Sequence, residues 1–355
     1  MSKETVRAKP GKRFAPIGII FGILGLLLFA YFVRRAGVTR ILDGIGRLGF
    51  GFFLIILISS VRHTVRSLAW TKCFEPPYQL RFRDAFAARL MGDALGNIVP
   101  LASAAVSEPS KAAFVRHRVP LLAGLPAIAL ENIFYSLSAV LLIFSGSAAL
   151  LLSFPLKTPL RYATISALVV TACIVPIGYL VIKKQWRFLS KGLALLGKRR
   201  VRTTWVESGI PRARIFEDRV YGFYGRNKNR LLPIFALELV FHMAGIAEVY
   251  TVLSFISDQP PTLLMAFILE SVNRVINVAF KFIPLRLGVD EGGTEMVSTV
   301  LGLTKATGVT LAIIRKGRDL FWTGVGVILM VRRGLSLKEL AEKREEAVAA
   351  IADPT

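Results

Sequence analysis

The chain has 355 residues, 54% of them hydrophobic, and a mean hydropathy of +0.55. Several apolar runs approach the roughly 20 residues that a bilayer-spanning helix needs, and none alternates as barrel strands do, which excludes a soluble globular domain and a membrane β-barrel. The formal net charge of +23 sits mostly beside apolar segments, where Lys and Arg set orientation and meet anionic lipid, so a lipid surface rather than nucleic acid is the expected partner.

In chain order, the basic start MSKETVRAKPGKR precedes FAPIGIIFGILGLLLFAYFV. This run is too long for a signal peptide and no small-residue cleavage site follows it, so it reads as a retained first span with the N-terminus in the cytoplasm. VTRILDGIGRLG has the spacing of a short interfacial helix, and FGFFLIILISSVRHTVRSLAW follows as a second hydrophobic segment. Arg62 and Arg66 lie at i and i+4 on one face of it, either snorkelling to a headgroup layer or forming a phosphate-binding pair. RFRDAFAARLMGDALG reads as an amphipathic helix and leads into NIVPLASAAVSEP, where prolines and small residues break the pattern around Asn97 and Glu108, with Lys111 just beyond.

A long span follows with Glu131 and Asn132 in its first half, then RYATISALVVTACIVPIGYLVI with Pro176 inside it. Residues 183–230 are dominated by Lys and Arg, including Lys198, Arg199 and Arg200, and are expected as amphipathic helices on an anionic cytoplasmic leaflet. The second half brings two further apolar segments and the break KFIPLRLGVDEGGTEM with Arg286, Glu291 and Glu295. A last span carries Arg315, Lys316, Arg318 and Asp319, and the tail SLKELAEKREEAVAAIADPT reads as an exposed cytoplasmic helix.

The expected division is a basic tail (1–13), a first membrane half (14–182) broken near 97–109, and a basic cytoplasmic segment (183–230). A second membrane half (231–333) broken near 281–293 and a tail helix (334–355) complete it. An even number of crossings per half requires each break to enter and leave on one side. The fold class is therefore all-α and polytopic, with one re-entrant helix pair in each half and inverted repetition as the working expectation. Two ordinary extramembrane loops are the alternative.

Ionisable residues inside apolar runs face a bundle interior or a cavity, where they pair with each other or with substrate. Glu270 and Arg274, at i and i+4, fit an intrahelical pair or a substrate contact. Arg315, Arg318 and Asp319 share a face well enough to leave one guanidinium free for bidentate phosphate binding. Glu108, Glu291 and Glu295 are candidates to hold an amine or exchange a proton. Cys73 and Cys173 form no CxxC motif and histidines are few, so no metal and no cofactor are expected. No GxxxxGK[ST] motif occurs, which argues against ATP-driven transport.

The stretch GDALGNIVPLASAAVSEPSKAAFVR resembles the conserved block of the flippase-like membrane domain of lysylphosphatidylglycerol synthases, and IPLRLGVDEGGTEMVSTVLGL resembles its second block. Asn97, Pro100, Glu108 and Lys111 match the first pattern; Ser107 stands where Gly is usual and Ala102 where Arg is common, while Arg286 keeps a basic residue after the second proline. The resemblance implies an inner-membrane protein that moves a polar or aminoacylated lipid between leaflets. The chain ends soon after its last span, so it is expected not to aminoacylate lipid itself. An accessory protein of lipid, glycolipid or hopanoid synthesis and an intramembrane lipid-modifying enzyme are the alternatives, and a homo-oligomer or a lipid-synthesis partner stays open.

Overall fold

The computed structural model describes residues 27–98, 103–198, 204–281, 283 and 286–333. Most of the first span, both break prolines, Ala102, Arg199, Arg200 and the tail helix lie outside the described residues, as does the side chain of Lys198. A helical segment at 27–36 (α1) is followed by α2 (Val38–Leu48), α3 (Gly51–Lys72), α4 (Phe82–Ile98), α5 (Ser103–Phe114), α6 (Leu121–Ser153) and α7 (Thr158–Lys183). Then come α8 (Phe188–Lys198), α9 (Thr204–Arg226), α10 (Lys228–Ile256), α11 (Leu263–Ala279), α12 (Val289–Val300) and α13 (Lys305–Arg332). There is no strand among the described residues.

Helices α3, α6, α7 and α10 are long and apolar enough to cross a bilayer. α13, with 28 residues, has the length as well and carries its charges on the protein-facing side, where Arg315, Lys316 and Arg318 are buried. α5 and α12 have 12 residues each, about 18 Å of helix, too short for a hydrocarbon core of about 30 Å. α4 and α5 run antiparallel: Asp84 meets Arg118 at the base, and Gly92 faces Ser107 and Lys111 nearer the tip. α5 therefore returns towards the side from which α4 came, and α12 lies against α11 with Gly293 on Ile276.

The two halves follow one plan. A spanning helix leads into a 17-residue helix, a 12-residue helix and a second long helix, as α3–α6 and again as α10–α13. α3 and α10 pack antiparallel, since Gly51 faces Phe255, Arg62 meets Glu248, and the Phe74 carbonyl accepts from Arg230. The repeat is thus inverted, and its contacts are exchanged: α4 packs on α13 of the other half, and α11 on α6. Glycines make both crossings close. A Cβ at Gly326 would strike the Leu90 carbonyl, and one at Gly146 would strike Ser271, whose hydroxyl donates to the Leu142 carbonyl at 3.1 Å. In lipid, where burying apolar surface adds little, such backbone approach and interhelical polar contacts hold helices together.

The ends of the α3–α10 pair are closed in matching ways. Arg226, just before α10, forks onto Glu75 just after α3 at 3.0 and 2.9 Å, and Arg47, just before α3, meets Asp258 just after α10 at 2.6 Å. Between those ends lie two apolar clusters. One gathers Trp70, Met91, Phe134, Phe223, Ile234 and Met330, and the other gathers Ile55, Leu142, Leu253, Leu269, Val297 and Leu311. Arg62 and Arg66 of α3 and Glu238 and Glu248 of α10 meet in the layer between them.

The basic segment forms α8 and α9. Glu217 on α9 caps α8, accepting from the Leu189 N–H at 2.8 Å and the Ser190 hydroxyl at 2.7 Å. α9 in turn buries Val220 and Phe223 against α6, so this segment is anchored on the membrane bundle and not only on its surface. α7 packs on α6 and leaves nearly all of its remaining surface to lipid.

Candidate functional site

A cavity of about 750 Å3 opens where the tips of the two re-entrant pairs approach α3, α6 and α13. α3 supplies Arg62, His63 and Arg66 on consecutive turns of one face, the consequence of their i, i+4 spacing. Arg66 Nε donates to Glu131 Oε1 at 2.7 Å and Nη2 to Asn132 Oδ1 at 3.2 Å, while its guanidinium lies 4.1 Å from the centre of the Tyr135 ring. Arg62 reaches Glu248 at 3.1 Å and Glu270 at 3.7 Å. A role at the headgroup layer does not fit two side chains that point into the bundle and are held by buried carboxylates.

The second half supplies the other wall. Arg274 pairs with Glu270 at 2.8 Å and donates to the Tyr135 hydroxyl at 3.3 Å. Arg318 binds Glu248 and, at 2.6 Å, Asp319, and Arg286 reaches the other oxygen of Asp319 at 3.3 Å. Arg315 lies 3.7 Å from Glu270. The expectation of a free guanidinium among Arg315, Arg318 and Asp319 is therefore corrected. A bare cation in a low-dielectric interior costs several kcal/mol, and Glu248 and Glu270 are placed to offset it.

Of the residues singled out in the sequence, Arg62, Arg66, Asn97, Glu108, Arg274, Arg286, Arg315 and Arg318 line the cavity. Asn97 donates to Thr323 Oγ1 at 2.9 Å, tying the first tip to α13. Glu131, Glu270 and Lys111 stand behind the lining as counterions; Lys111 bridges Asp93 at 2.8 Å and Glu108 at 2.9 Å. Glu291 and Glu295 are corrected. Glu291 is fully buried, caps α12 by accepting the Gly288 N–H at 2.7 Å and pairs with Lys316 at 2.7 Å, and Glu295 pairs with Arg35 at 3.6 Å. Neither reaches the cavity.

The sequence reading missed Arg89, Asp93, Asn273, Asn277 and Lys281, which also line it. Arg89 Nη2 donates to Glu131 Oε1 at 2.9 Å. Arg89 and Asp93 share a face of α4 at i, i+4, a spacing visible in the sequence, but the sequence shows that helix only as amphipathic and does not say what its polar face meets.

The cavity has two poles. Its most exposed acids, Asp93 and Glu108, lie on the α4–α5 side, with 37% and 31% of their side chains accessible. Its accessible cations, Lys281 and Arg286, lie on the α11–α12 side. Arg286 has φ of +51°, a left-handed backbone that costs a non-glycine residue about 1–2 kcal/mol. Such positions collect at functional sites, and here the turn carries a guanidinium that lines the cavity beside Asp319.

With this geometry in place, the sequence comparison defines a class of membrane domain: residues 16–326 match the lysylphosphatidylglycerol synthase transmembrane region. The chain belongs to that family, is a multi-pass membrane protein and has a membrane-lipid-related role. No curated protein and no solved structure matches it.

Proposed function

We propose that this protein carries a phosphate-bearing polar lipid between the leaflets of a bacterial inner membrane. The headgroup enters the cavity between the two tips while the acyl chains stay in the bilayer. The observation that supports this most is a polar cavity of about 750 Å3 at the junction of two inverted re-entrant pairs, lined by arginines from both halves. Irregular backbone at membrane depth survives only where it is buried in protein or lines such a cavity, and paired interruptions in inverted halves mark transporter binding sites. Arginine forks suit phosphate oxygens, and Asp93 and Glu108 opposite them suit an amine on the same headgroup. In this reading the N-terminus, the 183–230 segment and the C-terminus face the cytoplasm, and the basic segment rests on anionic lipid.

Purified protein in liposomes with a fluorescent phosphatidylglycerol tests the reading. Faster loss of inner-leaflet protection than in empty vesicles is expected. No acceleration across phosphatidylglycerol, phosphatidylethanolamine and an aminoacylated lipid overturns it.

A further inference from the structure

One buried acid has no part in holding a headgroup. Glu238 on α10 is fully buried, no N–H or hydroxyl among the described residues donates to its carboxyl oxygens, and the Glu131 carboxyl group stands within hydrogen-bonding reach of it. Arg66 Nε lies 3.6 Å from Glu238 Oε2 while donating at 2.7 Å to Glu131 Oε1. Two carboxylates thus share one edge of one guanidinium. Glu131 has a second donor in Arg89, at 2.9 Å, and Glu238 has none. The other ionisable groups around Glu238 are Cys73 after α3, Arg89 from α4, and Glu131 and Tyr135 from α6, the last beneath Arg66. On its own helix stand Arg230 and His242; Glu270 and Arg274 of α11 face His242, and Arg318 of α13 faces Glu248 further along.

We propose that Glu238 is a proton site linked to headgroup binding through Arg66, so that lipid phosphate and proton move together. This rests on the headgroup reading above. Arg66 opens onto the cavity, and a phosphate arriving there competes with both carboxylates for the same guanidinium. Glu131 keeps Arg89. Glu238, left with no donor in a low-dielectric layer, is neutralised by taking up a proton. The phosphodiester brings one negative charge and the proton one positive charge, so the layer keeps its net charge as the headgroup reaches the midplane. Protonation of Glu238 and phosphate binding at Arg66 favour each other, and linkage makes the effect reciprocal.

The test is binding of short-chain phosphatidylglycerol, below its micelle concentration, to the purified full chain in detergent between about pH 6 and 9. The probe keeps a single negative charge throughout, so any titration belongs to the protein. Kd is expected to rise with pH on the alkaline side, by up to about tenfold per unit for one linked proton. Glu238→Gln flattens the profile with binding retained, and Glu75→Gln, which alters a carboxyl outside the cavity lining, keeps the slope. A second readout needs no variant: in liposomes holding a trapped pH indicator, wild-type lipid movement carries protons with it. A flat wild-type profile, a slope that survives Glu238→Gln, or lipid movement without proton movement overturns the proposal and leaves the headgroup reading standing. No binding at any pH overturns both.

Discussion

The two re-entrant pairs have the same helix lengths, 17 and 12 residues, and opposite charges at one matching buried position. The eighth residue of the longer helix is Arg89 in the first pair and Glu270 in the second. Each contacts the eleventh residue of the following long helix, Glu131 on α6 and Arg315 on α13, at 2.9 and 3.7 Å. One buried ion pair is therefore built twice with its signs exchanged. The tips differ likewise, Asp93 and Glu108 facing the cavity from the first pair and Lys281 and Arg286 from the second. A shared backbone plan fixes where charged groups stand, and the side chains then decide which end of a headgroup each wall can hold.

The sharpest way to break that comparison is at its most heavily loaded position. Glu270 lies within 4 Å of Arg62, Arg274 and Arg315, so Glu270→Ala strands buried cations and is expected to cost about 3–5 kcal/mol. Arg89→Ala costs less, because Glu131 keeps Arg66. Unfolding of both variants in detergent measures the difference, and equal costs would refute the counterion assignment. Next comes lipid binding. Arg286→Gln is expected to weaken phosphatidylglycerol binding by about tenfold, the worth of one charge-assisted hydrogen bond. Glu108→Gln should instead weaken a lipid carrying an amine and spare phosphatidylglycerol; a reversed pattern would exchange the poles of the cavity.

Smaller effects are expected where the halves cross and where they close. Gly326→Ala drives a methyl into the Leu90 carbonyl, with an expected cost of about 1–3 kcal/mol, and a neutral result would mean the α4–α13 crossing can open. At the membrane surface, Arg226 and Asn227 hold the Glu75 carboxyl below its ordinary value of 4.5. The stabilisation is thus present above pH 4.5 and lost as pH falls further. Because Arg226 is about half exposed, Arg226→Ala is expected to cost under about 1 kcal/mol at neutral pH and nothing in acid, read from unfolding at both.

Much of this architecture is legible in the sequence because lipid imposes strong patterns. Apolar runs of spanning length locate α3, α6, α7 and α10, whereas much of the break expected over 97–109 is helical, since α5 already holds Glu108 and Pro109. The cavity is less legible. Arg89 and Asp93 do not stand out because periodicity shows that a helix has a polar face without showing whether water or a cavity meets it. Glu291 looks like a partner of Glu108 by its distance from a proline, yet three residues after Gly288 it is placed to cap α12. Nor does spacing along one chain show that Glu248 and Glu270 each serve several arginines, since those arginines come from different helices.

The α3–α10 contact has a consequence for specificity of assembly. α3 contributes the cations Arg62 and Arg66, and α10 answers with the acids Glu238 and Glu248. Two first halves brought together in the same way would oppose arginine to arginine, and two second halves glutamate to glutamate. Repulsion of that kind rejects like pairing while attraction selects the unlike one. A chain severed between α7 and α10 would thus be expected to rejoin only as one first half with one second half. The two halves make a lock that neither can close with its own copy.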